Sequence, residues 1–147
     1  MIVCENDKWG LLDYEGNVII PIVYDKTVLF LQQNYCVAIK DGKAGVIDKH
    51  NNEIVSFAHD PETLCCYEEL GIIVCDRQGR VGAFNFNKKI IIPFVYSRIC
   101  SFNNIGKAIA IKNSKYGIID NKGNVVVDFI YDEMGDYGEC YIGDDRL

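Results

Sequence analysis

A fourfold internal repeat constrains the fold of this 147-residue chain more than any other feature of its sequence. Each copy has a glycine, an Asp or Asn three residues later, a run rich in Val and Ile, and a closing Asp or Ser. The glycines stand 35, 37 and 35 residues apart, at Gly10, Gly45, Gly82 and Gly117. From each glycine to the closing residue the distance is always 15 residues. Because such a period is the signature of repeat architectures, the sequence predicts one supersecondary unit built four times.

Each copy is predicted to form three short antiparallel strands. In the first copy these are Ile2-Val3-Cys4, a strand that carries Gly10, and the run Val18-Ile19-Ile20. A polar turn such as Asp41-Gly42 joins the first two strands, and residues of this kind tolerate the positive φ of a tight hairpin. The third strand is rich in β-branched residues, which favour a pleated sheet. Each copy therefore reads as a three-stranded meander.

The predicted fold class is all-β, because the best helical window, Glu62 to Leu70, has room for only a single turn. We expect one domain over residues 1–147, with repeats at about 1–35, 36–70, 71–107 and 108–147. An elongated, twisted stack of meanders is favoured, and a closed four-bladed propeller-like ring, which removes exposed edges, is the alternative. A last strand at Glu139–Ile142 and the acidic pair Asp144-Asp145 are expected to cap the end.

Composition narrows the classes of partner. A net charge of −6 with scattered basic residues argues against binding to nucleic acid or to an anionic membrane. No apolar run approaches the length of a membrane span, and no signal peptide precedes the repeats. If Met1 is the native start, the expected location is the cytoplasm.

The seven cysteines are odd in number and irregularly spaced, which favours reduced thiols over a disulfide framework. Cys4 and Cys75 are predicted to occupy the repeat position that Ile39 and Ile111 hold in other copies, and they are expected to be small buried residues.

The recurrent residues are interpreted as structural. Each repeat glycine lies inside a strand with no helix after it, so close approach of a neighbouring backbone or ring explains it better than phosphate binding. The recurrent acidic or amide residues are expected to bond their own turn amides rather than a metal ion; they are Asp13, Asp48, Asn85 and Asp120. The tyrosines of the Tyr-Asp endings should pack their rings inward, with the hydroxyl at the rim.

An irregular segment precedes Gly82, where two extra residues accompany Pro61. Among the residues of the sequence, His59, Cys65, Cys66 and Cys75 most resemble the ligands of a soft metal ion. They lack the paired spacings that structural zinc sites show. Adjacent cysteines on a strand should point to opposite faces. The segment is expected to be a surface connection. A small-molecule-binding or hydrolytic site near His59, Cys65 and Cys66 is kept as an alternative function.

The stretch from Lys8 to Asp25 resembles the WG, or KWG, repeat of bacterial proteins. In that family a Lys-Trp-Gly strand leads through Asp, a glycine turn and a Val/Ile run to Pro and Tyr-Asp, with a Phe beyond that Phe30 and Phe102 match. The resemblance extends over about Ile2 to Tyr137. Only Trp9 is a tryptophan, and the second copy departs furthest, with His59 in place of tyrosine.

The resemblance implies a β repeat with a binding or scaffolding role and no catalytic residues to carry over. We therefore expect a non-catalytic scaffold for protein–protein interaction, with no cofactor or metal, whose partner binds a face built from aromatic and loop positions. Neutralisation of a toxin, as by an immunity-type protein, is a variant in which the acidic surface faces a basic partner.

Overall fold

The computed structural model describes residues 1–30 and 33–135, and within them it is built from strands and turns with no helix. It divides into two compact units, Met1–Glu68 and Glu69–Leu147. The strands of the first unit are β1 (Ile2–Glu5), β2 (Lys8–Leu12), β3 (Val18–Tyr24), β4 (Tyr35–Lys40), β5 (Lys43–Asp48), β6 (Glu53–His59) and β7 (Cys65–Tyr67). Those of the second are β8 (Ile72–Arg77), β9 (Arg80–Asn85), β10 (Ile90–Tyr96), β11 (Arg98–Ile99), β12 (Lys107–Lys112), β13 (Lys115–Asp120) and β14 (Val125–Tyr131).

Every repeat is an antiparallel meander, which confirms the predicted all-β array of tandem repeats. The meanders are β1-β2-β3, β4-β5-β6, β8-β9-β10 and β12-β13-β14, and β11 pairs with the free side of β12. Where a helical turn was possible, the chain forms a turn at residues 61–63 and then β7. No helix in the described part of the chain is long and apolar enough to cross a membrane. The predicted last strand at Glu139–Ile142 and the acidic cap at Asp144-Asp145 lie outside the described residues.

The first turn of each repeat has the backbone of a tight hairpin. Both central residues have positive φ, 52° at Asp41 and 82° at Gly42 in the second repeat. Asn113 and Ser114 adopt the same conformation at 51° and 64°. Asn and Asp tolerate this left-handed region better than other non-glycine residues, so these polar pairs fix the hairpin register.

The repeat glycines allow the third strand to cross closely over the second. A Cβ placed on Gly82 would lie 2.6 Å from the carbonyl oxygen of Ile92 and 2.8 Å from the ring of Phe94. Gly117 has the same surroundings, with Phe129 as the ring, whereas Gly10 meets backbone atoms only. No real side chain tolerates these distances, so the expectation of close approach is confirmed.

Each unit buries its aliphatic side chains between its two meanders. In the first unit a continuous core contains Ile20, Tyr24, Val28, Cys36, Ala38 and Ile47, with Phe30 packed against it. In the second unit the fully buried large side chains are Ile72, Ile73, Cys75, Ile92 and Ile119. Neither meander covers itself, so each unit depends on packing between successive repeats.

The register corrects the assignment of two cysteines. Cys75 pairs with Gly82, as Ala38 pairs with Gly45, so it occupies the alanine position and not that of Ile39. It is fully buried there, as expected. Cys4 does occupy the isoleucine position, opposite Trp9, but it is exposed and not buried. The reason is that none of the described residues of its own unit covers β1 at this position.

The described cysteines are in two states. Cys4, Cys36, Cys65, Cys66 and Cys75 are free, in line with the expected reduced thiols. Cys100 is disulfide-bonded, which contradicts that expectation at this position. The remaining cysteine, Cys140, lies outside the described residues.

Candidate interaction surface

The recurrent Asp and Asn residues organise the second turn of every repeat. The carboxylate of Asp13 accepts hydrogen bonds from the backbone N–H groups of Glu15 and Asn17, at 2.9 and 2.8 Å, and from the Asn17 amide. Asn85 accepts the equivalent pair of backbone bonds, from Asn87 and Lys89. Asp48 and Asp120 repeat the arrangement. Because these oxygens are used inside their own turns, the predicted turn-stabilising role is confirmed.

These turns predict an acid dependence of stability. Hydrogen bonds from Asn17 lower the pKa of Asp13 below its ordinary value of 3.8, and the pKa of Asp48 is lowered likewise by Asn52. Such a group contributes stability above the unfolded-state pKa and loses it as the pH falls through the folded-state pKa. We expect the D13N/D48N/D120N variant to lose less stability than the wild type from about pH 5 to about pH 2, measured by urea unfolding.

The third repeat supplies the matched control, because Asn85 does not titrate. An N85D substitution adds a fourth carboxylate in the same turn geometry. The N85D variant should lose stability more steeply than the wild type as the pH falls. Equal slopes for all three proteins would show that the turn carboxylates do not set the acid dependence.

The Tyr-Asp endings join one repeat to the next. Tyr24 is buried, and its hydroxyl donates to the Asn51 side chain at 2.5 Å, while Asp25 accepts from Lys8 at 2.6 Å and from the Gly42 N–H at 2.8 Å. The bond from Lys8 lowers the pKa of Asp25. The inward ring with its hydroxyl at the rim matches the prediction at Tyr24, and these residues are therefore used within the unit.

Most of the exposed large apolar side chains are aliphatic residues of the third strands. One position, 13 residues after the repeat glycine, is aliphatic and exposed in all four repeats. It is occupied by Val23, Ala58, Val95 and Ile130, which we call the outer row. Each unit presents two of its members. Tyr24, Tyr96 and Phe102 are buried whereas Tyr14 and Tyr131 are exposed, so a partner face built on aromatic positions stays a prediction.

The third strands are also the last strands of their meanders. Three of the four edges carry a residue that limits pairing at one repeat position, namely Pro21, Pro93 and Asp128, and the second repeat has Ser56 there. Proline cannot donate to a neighbouring strand, and an aspartate discourages one by its charge. Three members of the outer row, Val23, Val95 and Ile130, therefore stand on strands that resist strand addition while they expose aliphatic side chains.

The residues of the alternative site lie on two strands, β6 and β7. His59 ends β6, and Cys65 and Cys66 lie on β7 with one exposed and one half-buried, on opposite faces as predicted. Burial, with the charge of Glu68, raises the pKa of Cys66 to about 12, so the thiol is protonated at neutral pH. Among the described residues, no group of three His, Cys, Asp or Glu side chains is placed to hold a metal ion.

A contact that sequence reasoning missed anchors the irregular segment. The carboxylate of Glu68 accepts the backbone N–H groups of Asn34 and Tyr35, at 3.0 and 3.2 Å, and the Asn34 amide at 2.8 Å. Glu68 thereby ties the segment after Pro61 to the beginning of β4. No repeat position predicts this contact, because Glu68 lies in the part of the chain that does not repeat.

The family model of the WG containing repeat matches residues 9–43, 82–116 and 116–139. The chain belongs to the WG-repeat family. The matched ranges leave out residues 44–81, where the second WG repeat has Ala44 in place of the tryptophan. That WG repeat nevertheless forms the same meander, with the same glycine crossing at Gly45.

Other comparisons add the fold alone. No curated protein matches the WG-repeat chain in sequence. A solved structure described as "KlHsv2 with loop 6CD replaced by a Gly-Ser linker" is similar, with a TM-score of 0.52 and 14% sequence identity. The likeness covers 84% of this chain and 46% of the other, so the WG-repeat chain spans about half the length of that structure.

Proposed function

We propose that this WG-repeat chain is a non-catalytic scaffold that binds a protein partner through its outer row. The observation that carries the proposal is the recurrence of an exposed aliphatic residue at one position in all four repeats. The core does not use these side chains, and exposed apolar patches mark sites of protein interaction. In the second unit, Val95 is 39% exposed and Ile130 66% exposed.

Two further observations support a binding role over a catalytic one. The most buried candidate thiols, Cys66 and Cys75, have pKa values raised to about 12 by burial, so neither supplies a thiolate nucleophile at neutral pH. The carboxylates that recur in the repeats already accept hydrogen bonds from their own turns. The state of these thiols and carboxylates therefore supports a binding role more than a catalytic one.

The test is partner capture with a charge placed in the outer row. Wild-type chain, immobilised and exposed to lysate of the source cells, should retain a specific protein that the V23E/V95E variant loses. A carboxylate at each position replaces an apolar contact with a desolvation penalty, so we expect binding to weaken by about tenfold or more. Quantitative mass spectrometry of the retained proteins, followed by titration calorimetry with the purified partner, measures the loss.

The control adds the same charge elsewhere in the same two repeats. Tyr14 is 89% exposed in a turn and Asn87 is exposed, so Y14E/N87E matches the charge of the test variant without touching the outer row. Circular dichroism of all three proteins establishes that they are folded. A protein retained equally by the wild type and V23E/V95E, or lost equally with Y14E/N87E, would refute binding through the outer row.

A further inference from the structure

Within each unit, the end of one repeat pairs with the first strand of the next. In the first unit the Asp25 N–H donates to the carbonyl of Ile39 at 2.7 Å, and in the second the Ser97 N–H donates to the carbonyl of Ile111 at 2.8 Å. Ile39 and Ile111 occupy the same repeat position, one pairing with Ala44 and the other with Tyr116. The two contacts are therefore copies of one interface, which we call the repeat junction.

The repeat junction contains an aromatic pair whose tyrosine is buried. The tyrosine that ends the third strand is 3% exposed at Tyr24 and 2% exposed at Tyr96. Each ring packs on a phenylalanine of the following repeat, Tyr24 on Phe57 with ring centroids 5.7 Å apart and Tyr96 on Phe129 at 5.5 Å. The junction thus combines a backbone bond with a desolvated aromatic contact, the kind of core that specific interfaces use.

The fourth repeat carries the same groups, and none of the described residues after them forms a further meander. Tyr131, the counterpart of Tyr24, is 47% exposed, and Val127 is only half-buried. The Asp132 side chain is 86% exposed and pairs with Lys115, as Asp25 pairs with Lys8. In the described part of the chain the Asp132 N–H makes no backbone hydrogen bond like that of Asp25. One half of a repeat junction is therefore presented at β14.

The first repeat presents the other half. Cys4 stands at the position of Ile39, opposite the residue before the repeat glycine, and it is exposed. The following turn, Asn6-Asp7, has φ of 53° and 63°, close to the 51° and 64° of the turn after β12. The hairpin of β1 and β2 thus has the shape of the hairpin that the junction of the second unit receives.

We propose that β14 of one chain receives β1 of a second copy of this chain and remakes the repeat junction between molecules. The Asp132 N–H donates to the Cys4 carbonyl of the second copy, and Tyr131 packs on its first repeat, where Ile22 stands at the position of Phe57 and Phe129. The contact repeats the backbone bond of the two junctions inside the units, since Asp132 and Cys4 are both exposed on one sequence. Such a contact is heterologous, so it propagates head to tail until a ring closes. It is independent of the outer row, which is a different set of side chains.

Association and its loss test the proposal directly. The full chain should show a mass that rises with concentration, above that of one copy, in sedimentation equilibrium. Y131A removes the ring that the second copy covers and should raise the dissociation constant about tenfold. The control is Y14A, at a tyrosine that is 89% exposed in a turn and should leave association unchanged.

A disulfide trap identifies the two strands. In the D132C variant, mild oxidation should link the introduced thiol to Cys4 of another copy and give reducible dimers and higher species on a gel. The C4S/D132C variant removes the native thiol and should give none of these species, whereas links through other cysteines would persist in it. A monomer at every concentration overturns the proposal. A link between Cys4 and the introduced thiol within one chain overturns it as well.

Discussion

The G82A variant is expected to lose about 3 kcal/mol of its free energy of unfolding. The added Cβ would lie 2.6 Å from the Ile92 carbonyl oxygen and 2.9 Å from the Pro93 carbonyl carbon. These are backbone atoms of the crossing strand, so relief requires the strand itself to move away and to uncover Ile92. Urea unfolding followed by circular dichroism measures the loss.

The control for G82A is R80A on the same strand. Arg80 is exposed at the beginning of β9, two residues from the glycine, and its removal should change stability by less than about 0.5 kcal/mol. An alanine at position 82 that costs no more than R80A would mean that the third strand does not cross the second as closely as described. The close-approach explanation of the four glycines would then be wrong.

The second large effect is expected at Tyr96. Its ring is 2% exposed and packs on Phe129, so Y96A should lower the free energy of unfolding by about 3 kcal/mol, through lost burial and the cavity left behind. Tyr131 is the same residue at the same repeat position, but it is 47% exposed. At protein concentrations too low for association, Y131A should cost less than about 1 kcal/mol.

This pair of tyrosines separates two explanations of the recurrent residue. If the tyrosine stabilises its own meander, the two substitutions should cost the same. If it acts only through the following repeat, the cost should follow burial and be several times larger at Tyr96. Equal losses in thermal and urea unfolding would contradict the account of the repeat junction.

The sequence was sufficient for the residues whose role is local. A glycine inside a strand and an Asp before a turn act on atoms only a few residues away or on the adjacent strand, so their spacing predicted their roles. Gly82 and Asp13 are examples, and both were placed correctly. Local chemistry of this kind leaves a signature that needs no knowledge of the rest of the molecule.

Features that depend on which surface is covered were not predictable in the same way. Tyr24 and Tyr131 occupy the same repeat position, yet Tyr24 is buried and Tyr131 is exposed. The reason is that another described repeat follows Tyr24 in its unit, and none follows Tyr131. Cys4 was misjudged for the same reason. The repeat position predicted for Cys75 was wrong by one residue along the strand. The pairing of Cys75 with Gly82 is needed to assign that position correctly.

The outer row escaped prediction because β-branched residues are favoured in strands whether or not they are buried. In the sequence, Val95 is indistinguishable from Ile92, yet the first is 39% exposed and the second fully buried. Bulges between β9 and β10 shift the register, so simple alternation does not assign the faces of the third strand.

The position before the repeat glycine, which gives the family its name, has a consequence for how such chains change over time. It holds Trp9, Ala44, Val81 and Tyr116, and the last three meanders form without the tryptophan. Backbone geometry is set instead by the glycine and by the Asp or Asn of the second turn. A duplicated copy is therefore free to lose the signature by which it is recognised while it keeps its shape. Counting tryptophans in a chain of this kind underestimates the number of repeats that it contains.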